Sequence, residues 1–292
     1  MVLENFFKLD GTPAKYEGDA FKIALQETEI QDCEVRDPVE INPNTVGQAK
    51  FGKKRFKNVS FKNKRFSRLI FNECSFHGCI FIGAEFDRCE FHNCTFVRCN
   101  FYKVEFSRVY GKPKQFRYAI PEEGFANIAV GFYRALLDNY SNESQRRARV
   151  ETDYLFRKWE RISEAEQFFK KKGRVSKWEY VKWFGEHVWS WSQDFFFGYG
   201  SKVHRMLATI LGTIVALALL NLLCASQMYD PKPSSFGFWD SFYCTFTTMT
   251  TLGAAGFNPT TTTGHLVVMF DVFCGITLLS NVLSATFKRI LP

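Results

Sequence analysis

A phenylalanine stands at every fifth position between residues 51 and 106, and this spacing limits the possible folds more than any other feature of the chain. The twelve positions in register are Phe51, Phe56, Phe61, Phe66, Phe71, Phe76, Phe81, Phe86, Phe91, Phe96, Phe101 and Phe106. A helix repeats every ~3.6 residues and a flat strand every ~2, so neither explains the pattern. A period of five fits a square coil in which each side of five residues turns one phenylalanine inward. Ile41 and Val46 extend the same phase toward the N-terminus.

Two positions before each phenylalanine, the side chain is usually small or apolar. Five of these positions hold cysteines: Cys74, Cys79, Cys89, Cys94 and Cys99. Zinc sites need paired cysteine spacings separated by a turn, and these single, evenly spaced cysteines lack that arrangement. We therefore predict that they are small apolar core residues and not metal ligands or disulfides.

The five-residue pattern strongly resembles the pentapeptide-repeat family. The resemblance implies a right-handed, four-sided β-helix with roughly three coils, each rising by ~4.8 Å, the spacing of neighbouring strands. Some members of the family mimic DNA, which requires a strongly acidic surface. Residues 51–110 carry twelve Lys or Arg against five Asp or Glu, so the sign of the charge excludes a DNA mimic here. We expect a stiff scaffold whose ends can stack on other elements.

Two helices are predicted after the repeats. Apolar residues recur at helical spacing from Phe125 to Tyr140, and a very basic segment follows over residues 146–174. The basic segment is interpreted as a solvated helix face or as a contact with anionic lipid headgroups. Nucleic-acid binding is disfavoured because no stacking platform or recognition motif accompanies the charge.

An aromatic segment over residues 178–197 follows the linker. One helical face carries mainly aromatic side chains: Trp178, Val181, Phe184, Val188, Trp191 and Phe195. Tryptophan-rich amphipathic helices that precede a membrane span commonly lie in the plane of the membrane interface. We predict that placement for this segment.

Two long stretches of the C-terminal half are almost free of charge. Residues 206–229 contain no charged side chain, and between residues 241 and 287 the only acid or base, His265 aside, is Asp271. We predict spans over residues 206–226 and 265–287, each long enough for a ~30 Å hydrocarbon core. Basic residues precede the first span and follow the second, which predicts that both chain ends are cytoplasmic. No signal peptide is expected, and a bacterial inner membrane is the predicted location.

The segment between the spans is apolar but rich in threonine and glycine. Non-helical backbone at membrane depth is tolerated only where it is buried in protein or lines an aqueous path. The order of helix, short helix, Thr250-Thr251-Leu252-Gly253 and helix looks like the two-transmembrane pore domain of tetrameric potassium channels. Bacterial channels that join pentapeptide repeats to this pore are a known architecture. The resemblance implies a homotetramer and places the selectivity filter at Thr250, Thr251, Leu252, Gly253, Ala254, Ala255 and Gly256.

The filter departs from the family pattern in its second half. Where the family has Tyr-Gly-Asp, this chain has Ala254-Ala255-Gly256. Glycine permits the left-handed backbone angles that turn alternate carbonyl groups inward, and Ala255 makes that conformation costly. We therefore expect fewer intact carbonyl rings and weak selectivity among monovalent cations.

Other pore residues follow from position along the last span. The resemblance places the inner-helix hinge at Gly275, and helical spacing makes Ile276, Leu279 and Leu283 candidates for the pore-lining gate. Asp271 is an ionisable residue at membrane depth and is therefore a functional candidate. Two roles are open for it, a pairing with threonines behind the pore helix or a ring of acids that faces the pore.

The predicted fold is a mixed membrane protein with five regions. These are an N-terminal segment (1–40), the pentapeptide-repeat β-helix (41–110), a helical linker (111–177), an interfacial amphipathic helix (178–202) and an all-α pore domain with a re-entrant pore helix (203–292). The predicted function is a tetrameric cation channel that is gated or assembled through the repeat domain, with membrane lipids and an unknown cytoplasmic protein as possible partners. The alternative is a non-conducting, membrane-anchored scaffold.

No enzyme is expected from this sequence. The five histidines are scattered, and the chain lacks a Ser/His/Asp cluster, a phosphate-binding loop and metal-ligand spacings. We expect no cofactor and no bound metal, and the expected permeant ions are K⁺ and Na⁺.

Overall fold

The computed structural model describes residues 6–17, 19–122, 124–171, 176–229, 236–250 and 258–290. The chain divides into two compact units, one up to His187 and one from Val188 onward. Each unit is described separately below.

The first unit is built on short parallel strands that stack into a solenoid. The strands are β1 (Ala14–Tyr16), β2 (Glu29–Val35), β3 (Glu40–Ile41), β4 (Lys50–Gly52), β5 (Arg55–Ser60), β6 (Arg65–Ser67), β7 (Ile70–Asn72), β8 (Ser75–His77), β9 (Glu85–Asp87), β10 (Glu90–His92), β11 (Thr95–Val97), β12 (Glu105–Ser107) and β13 (Tyr110–Gly111). They form three sheets with the orders β1-β2-β5-β8-β11, β13-β10-β7-β4 and β12-β9-β6-β3. The fourth side is joined by isolated bridges from Ser60 to Ile80 and from Ile80 to Asn100. The predicted four-sided β-helix is confirmed.

The phenylalanines form four stacked columns inside the solenoid. Each ring lies over the ring twenty residues further along, as in the pairs Phe56–Phe76 at 4.8 Å and Phe76–Phe96 at 4.7 Å between centroids. Strand pairing has the same offset, because Phe51 is the partner of Phe71 and Phe71 is the partner of Phe91. Five residues a side and four sides a coil therefore place identical side chains on top of one another, close to the spacing of paired strands.

The corners of the coil adopt a left-handed backbone conformation. Every fifth residue, two positions after each phenylalanine, has φ between 50° and 63°. The corner residues are Lys53, Asn58, Asn63, Arg68, Glu73, Gly78, Gly83, Arg88, Asn93, Arg98, Lys103 and Arg108. Only two of them are glycines, although this region of backbone angles is costly for other residues. The stacked core and the strand hydrogen bonds must therefore hold the corners in place.

The extension of the phase through Ile41 and Val46 is wrong. A continued five-residue register would place Ile41 against Phe61, but β3 pairs Ile41 with Phe66. A first helix, α1 (Asp19–Ala24), lies between β1 and β2 in the chain. Val46 lies in a second short helix, α2 (Pro43–Val46), which Asn42 caps at its N-terminus. The segment that contains α2 makes this coil five residues longer than the others, so the regular coils begin only at β4. The parallel sheet nevertheless continues before residue 41, since β2 pairs with β5.

Two amide side chains close the C-terminal end of the solenoid. Asn139 lies in helix α3 (Ala126–Asn142), and its side chain both accepts from the Val109 N–H and donates to the Val109 C=O, each at 2.9 Å. Gln115 accepts from the Cys94 N–H and donates to the Phe91 C=O. These amides supply the hydrogen bonds that a further strand would have made, so the last coil keeps its backbone groups paired.

Aromatic side chains continue the core beyond the last coil. Phe116, in a 3₁₀ turn over Pro113–Phe116, stacks on Phe96 at 4.7 Å. Phe132 of α3 lies 4.6 Å from Phe101. Helix α4 (Arg146–Lys170) then packs along α3 and buries Trp159. The two linker helices are therefore an extension of the solenoid core.

The five repeat cysteines are buried and free. In Cys79, Cys89, Cys94 and Cys99 the thiol lies beside a main-chain carbonyl oxygen of the coil below, for example Cys89 Sγ at 3.5 Å from the Phe66 oxygen. Burial raises the pKa of the Cys89 thiol to about 12, which keeps it neutral at physiological pH. Within the described residues, no group of three His, Cys, Asp or Glu side chains is placed to hold a metal ion.

The second unit contains two helices long and apolar enough to cross a membrane. They are α6 (Val203–Met228) and α8 (Thr262–Ile290), with mean hydropathies of 2.4 and 2.1 in their most apolar parts. Between them lies α7 (Phe238–Met249). The predicted pair of spans with a short helix between them is confirmed.

The aromatic helix begins at Lys177 and has an exposed apolar face. Helix α5 (Lys177–Ser192) is followed by a π-helical turn (Gln193–Phe197) and a 3₁₀ turn (Gly198–Gly200), so the α-helix ends five residues before the end of the predicted segment 178–197. Trp178 is 76% exposed and Trp191 is 52% exposed. Three successive residues with positive φ, Gly198, Tyr199 and Gly200, redirect the chain into α6.

We predict that the phenylalanine columns supply most of the stability of the solenoid. Phe81→Ala removes a ring that is stacked on both sides and should lower the free energy of unfolding by about 3–5 kcal/mol, as large-to-small core changes do. Cys89→Ala removes one buried sulfur atom and should cost far less. Hydrogen exchange of the strand amides in the detergent-solubilised protein measures both changes. Equal losses in the two variants, or a metal that co-purifies with the wild type and not with Cys89→Ala, would contradict the apolar core.

Candidate pore site

Helix α7 is too short to span a membrane and is packed against both α6 and α8. Its twelve residues measure about 18 Å at ~1.5 Å per residue, against a ~30 Å hydrocarbon core. The helix begins at Phe238, where Asp240 accepts a hydrogen bond from the Gly237 N–H at 2.8 Å. Ser241, in the first turn of α7, donates to the Ala218 carbonyl of α6 at 2.5 Å. The beginning of α7 is thus fixed by its own cap and by a direct bond to the first span.

One side chain, that of Asn221 on α6, connects all three helices. Its Nδ2 donates to Thr245 Oγ1 of α7 at 2.7 Å and to Asp271 Oδ2 of α8 at 2.6 Å. All three residues are at most 2% exposed. Since lipid offers no hydrogen bonds, polar contacts of this kind hold membrane helices together.

Asp271 lies inside the three-helix packing and not on the exposed face of α8. Its contact to the threonine of α7 passes through Asn221 and is not direct. Among the described residues, three buried oxygen atoms around this contact have no hydrogen-bond partner, namely Asp271 Oδ1, Asn221 Oδ1 and Thr248 Oγ1. Which of the two predicted roles Asp271 has in an assembled channel stays a prediction.

Gly275 lies against the C-terminal end of α7. A Cβ atom built on it would stand 2.2 Å from the Met249 carbonyl oxygen and 2.8 Å from its Cα. Helix α8 runs unbroken through this position. The close approach of the two backbones therefore explains why a glycine is needed at position 275. The role of Gly275 as a hinge stays a prediction.

The predicted gate residues share one exposed side of α8, next to its buried face. Ile276, Leu279 and Leu283 are 53%, 66% and 54% exposed in the single chain. The face that packs on α6 and α7 carries Asp271, Gly275 and Leu278, which are buried. The gate residues are thus free to meet other copies of the chain, and their lining of a pore stays a prediction.

The predicted filter begins at Thr250. Thr250 follows α7 directly, and its hydroxyl donates to the Phe246 carbonyl at 2.7 Å. Thr251, Leu252, Gly253, Ala254, Ala255 and Gly256 lie outside the described residues. The predicted filter segment therefore starts at the C-terminal end of α7, beside Met249 and Gly275.

Sequence reasoning missed Asn221. An asparagine in a span carries no charge and does not alter hydropathy greatly. The available signal was a carboxamide in the middle of the charge-free stretch 206–229, which needs partners in a membrane.

Comparisons with known proteins support both halves of this description. Residues 206–291 match the family model described as "Ion channel", and residues 70–108 match pentapeptide repeats in eight copies. The protein joins pentapeptide repeats to a region similar to ion channels. Neither a curated protein nor a solved structure matched the chain. The predicted resemblances to pentapeptide repeats and to an ion channel are confirmed, whereas the potassium-type filter stays a prediction.

Asn221→Leu should destabilise the channel-like unit strongly. The change leaves the buried Asp271 carboxyl without its donor, and leaving a buried polar group unsatisfied costs about 1–3 kcal/mol. Unfolding of the purified protein in mixed micelles measures the loss. The matched control is Asn281→Leu, since Asn281 donates to the Thr277 carbonyl of its own helix and, among the described residues, makes no side-chain hydrogen bond to another helix. A similar loss in the control would mean that the contact between helices contributes no more to stability than a hydrogen bond within one helix.

Gly275→Ala should disturb the packing of α7 on α8. The added methyl group overlaps the Met249 carbonyl, and overpacking of this kind costs about 1–3 kcal/mol. Gly212→Ala on α6 is the control, because no atom lies within 4 Å of its added Cβ. Thermal unfolding in detergent should show a lower Tm for Gly275→Ala and an unchanged or higher Tm for Gly212→Ala. An unchanged Tm in Gly275→Ala would show that the two helices separate without cost.

Proposed function

We propose that four copies of this chain form a cation channel in a cell membrane, with both chain ends on the cytoplasmic side. The observation that carries the proposal is the half-span helix α7, which is held between two membrane-length helices in a region that matches ion channels. Backbone beyond the end of such a helix needs protein or water around it. Four-fold closure around a central aqueous path meets that need.

The expected ion preference follows from α7 and from the segment after it. The C-terminal end of a helix carries a partial negative charge, which favours cations over anions near Thr250. Stacked carbonyl rings replace the hydration shell of a permeating ion, and strong selectivity requires several intact rings. Ala254 and Ala255 replace the tyrosine and glycine of the potassium-channel pattern, so we propose weakly selective conduction of K⁺ and Na⁺.

The repeat solenoid is proposed to gate or assemble the channel. Its core is continuous with α3 and α4, which gives the first unit the stiffness that transmits a force or positions neighbouring subunits. The exposed aromatic face of α5 is proposed to lie in the membrane interface before α6. No cofactor takes part in this proposal.

Planar-bilayer recording of the purified protein under a K⁺/Na⁺ gradient tests the proposal. The mass in detergent should first give four subunits. The reversal potential should then indicate permeabilities of K⁺ and Na⁺ within about tenfold of each other, a difference of ~1.4 kcal/mol. The triple change Ala254→Tyr, Ala255→Gly and Gly256→Asp should sharpen the preference for K⁺, because it restores the missing rings.

Each negative result has a definite meaning. A reversal potential that follows chloride would overturn the cation channel. Strong K⁺ selectivity in the unmodified protein would show that Ala254 and Ala255 adopt the usual filter backbone. A monodisperse monomer or dimer, or a tetramer silent under all gradients, would favour the non-conducting scaffold.

A further inference from the structure

A groove of about 700 Å³ lies within the second unit, between α6, α8 and the π-helical turn before α6. Phe195, Phe196 and Phe270 line parts of it. On α6, its wall includes the small residues Ala208, Gly212 and Ala216, which are four positions apart and therefore on one helix face. No atom lies within 4 Å of a Cβ built on Gly212, so the groove is open at its centre.

The walls of the groove present hydrocarbon and not free polar groups. Its two threonine hydroxyls are already used, because Thr209 donates to the Phe196 carbonyl and Thr213 donates to the Thr209 carbonyl, both at 2.8 Å. Both helices that form the walls are apolar enough to cross a membrane. The space at this depth is therefore suited to hydrocarbon.

One end of the groove is cationic. Arg205 lines it, and the Arg205 Nη1 donates to the Asp194 carbonyl at 3.0 Å and lies 3.7 Å from the Asp194 carboxylate. A guanidinium group carries five N–H donors in a planar fork that suits phosphate, and these contacts use only one nitrogen. The remaining donors of Arg205 can therefore bind an anion at this end of the groove.

The length of the groove suits an extended hydrocarbon chain. From Arg205 to Leu217, α6 rises about 18 Å at ~1.5 Å per residue, and residues that line the groove occur along this whole stretch.

We propose that the groove binds an acyl chain of an anionic phospholipid, with the lipid phosphate against Arg205. The apolar walls hold the chain, and the guanidinium group, only partly neutralised by Asp194, selects the charged headgroup. The site lies where α6 and α8 meet the π-helical turn before α6, so bound lipid would stabilise the packing of these three elements. The proposal depends on the membrane location of the protein and not on ion conduction.

Native mass spectrometry of the full-length, delipidated protein tests the site. The probes are phosphatidylglycerol and phosphatidylcholine with identical acyl chains. The wild type should retain phosphatidylglycerol, and Gly212→Leu should reduce the bound lipid about tenfold because its side chain enters the groove. Arg205→Gln should remove the preference for phosphatidylglycerol over phosphatidylcholine while the groove stays open.

Two matched controls keep the result specific. Leu211→Phe adds volume at the neighbouring, exposed position of α6, which does not line the groove, and Lys202→Gln removes a nearby charge outside it. Both should bind lipid as the wild type does. Wild-type retention in Gly212→Leu would overturn the site, and so would a change in subunit number with unchanged lipid binding, which would assign the groove to a second copy of the chain. If Gly212→Leu does not stay monodisperse, the headgroup preference of Arg205→Gln decides the question alone.

Discussion

The membrane half of this protein depends on the need to pair polar groups where lipid offers no hydrogen bonds. Two bonds from α6 meet that need for α7: Ser241 bonds to the Ala218 carbonyl, and Asn221 bonds to Thr245. The second bond continues to Asp271, so that one carboxamide fixes the short helix against both spans. Without these contacts, the position of α7 would depend more on apolar packing, which in lipid gives little preference for one orientation over another.

Amide side chains also satisfy backbone hydrogen bonds in the repeat unit. Asn139 and Gln115 complete the hydrogen bonds of the last solenoid coil, where no further strand follows. An amide carries a donor and an acceptor at fixed geometry and so can replace a missing peptide group. In both units, a neutral side chain therefore terminates or joins regular structure without the desolvation cost of a charge.

The sequence predicted the repeating parts of the structure well because repetition is a strong constraint. Twelve phenylalanines at one spacing define the inward face, the coil length and the burial of the cysteines. The predicted register failed at Ile41 and Val46, because the segment that contains the capped helix α2 lengthens the coil by five residues. No periodicity in the sequence predicts this insertion. The two spans were predicted from the absence of charge. Asn221 was missed because its importance depends on which side chains of the neighbouring helices it meets in the fold. Gly275 shows the same limit, since only the coordinates reveal the carbonyl of Met249 in the space of a side chain.

The left-handed corners give the solenoid an electrostatic pattern that the core does not require. A coil of twenty residues aligns each corner with the corner of the next coil, so Arg68, Arg88 and Arg108 stand in one column along an edge. Like charges at this spacing repel each other, and Asp87 lies between two of them, 2.7 Å from Arg108 Nη2 and 3.9 Å from Arg88 Nε. Since corner side chains take no part in the phenylalanine columns, a charge placed at one corner can be repeated or reversed along an edge while the interior stays the same. Each edge of such a coil therefore carries charges that repeat once per coil, and their sign can change without any change in the core.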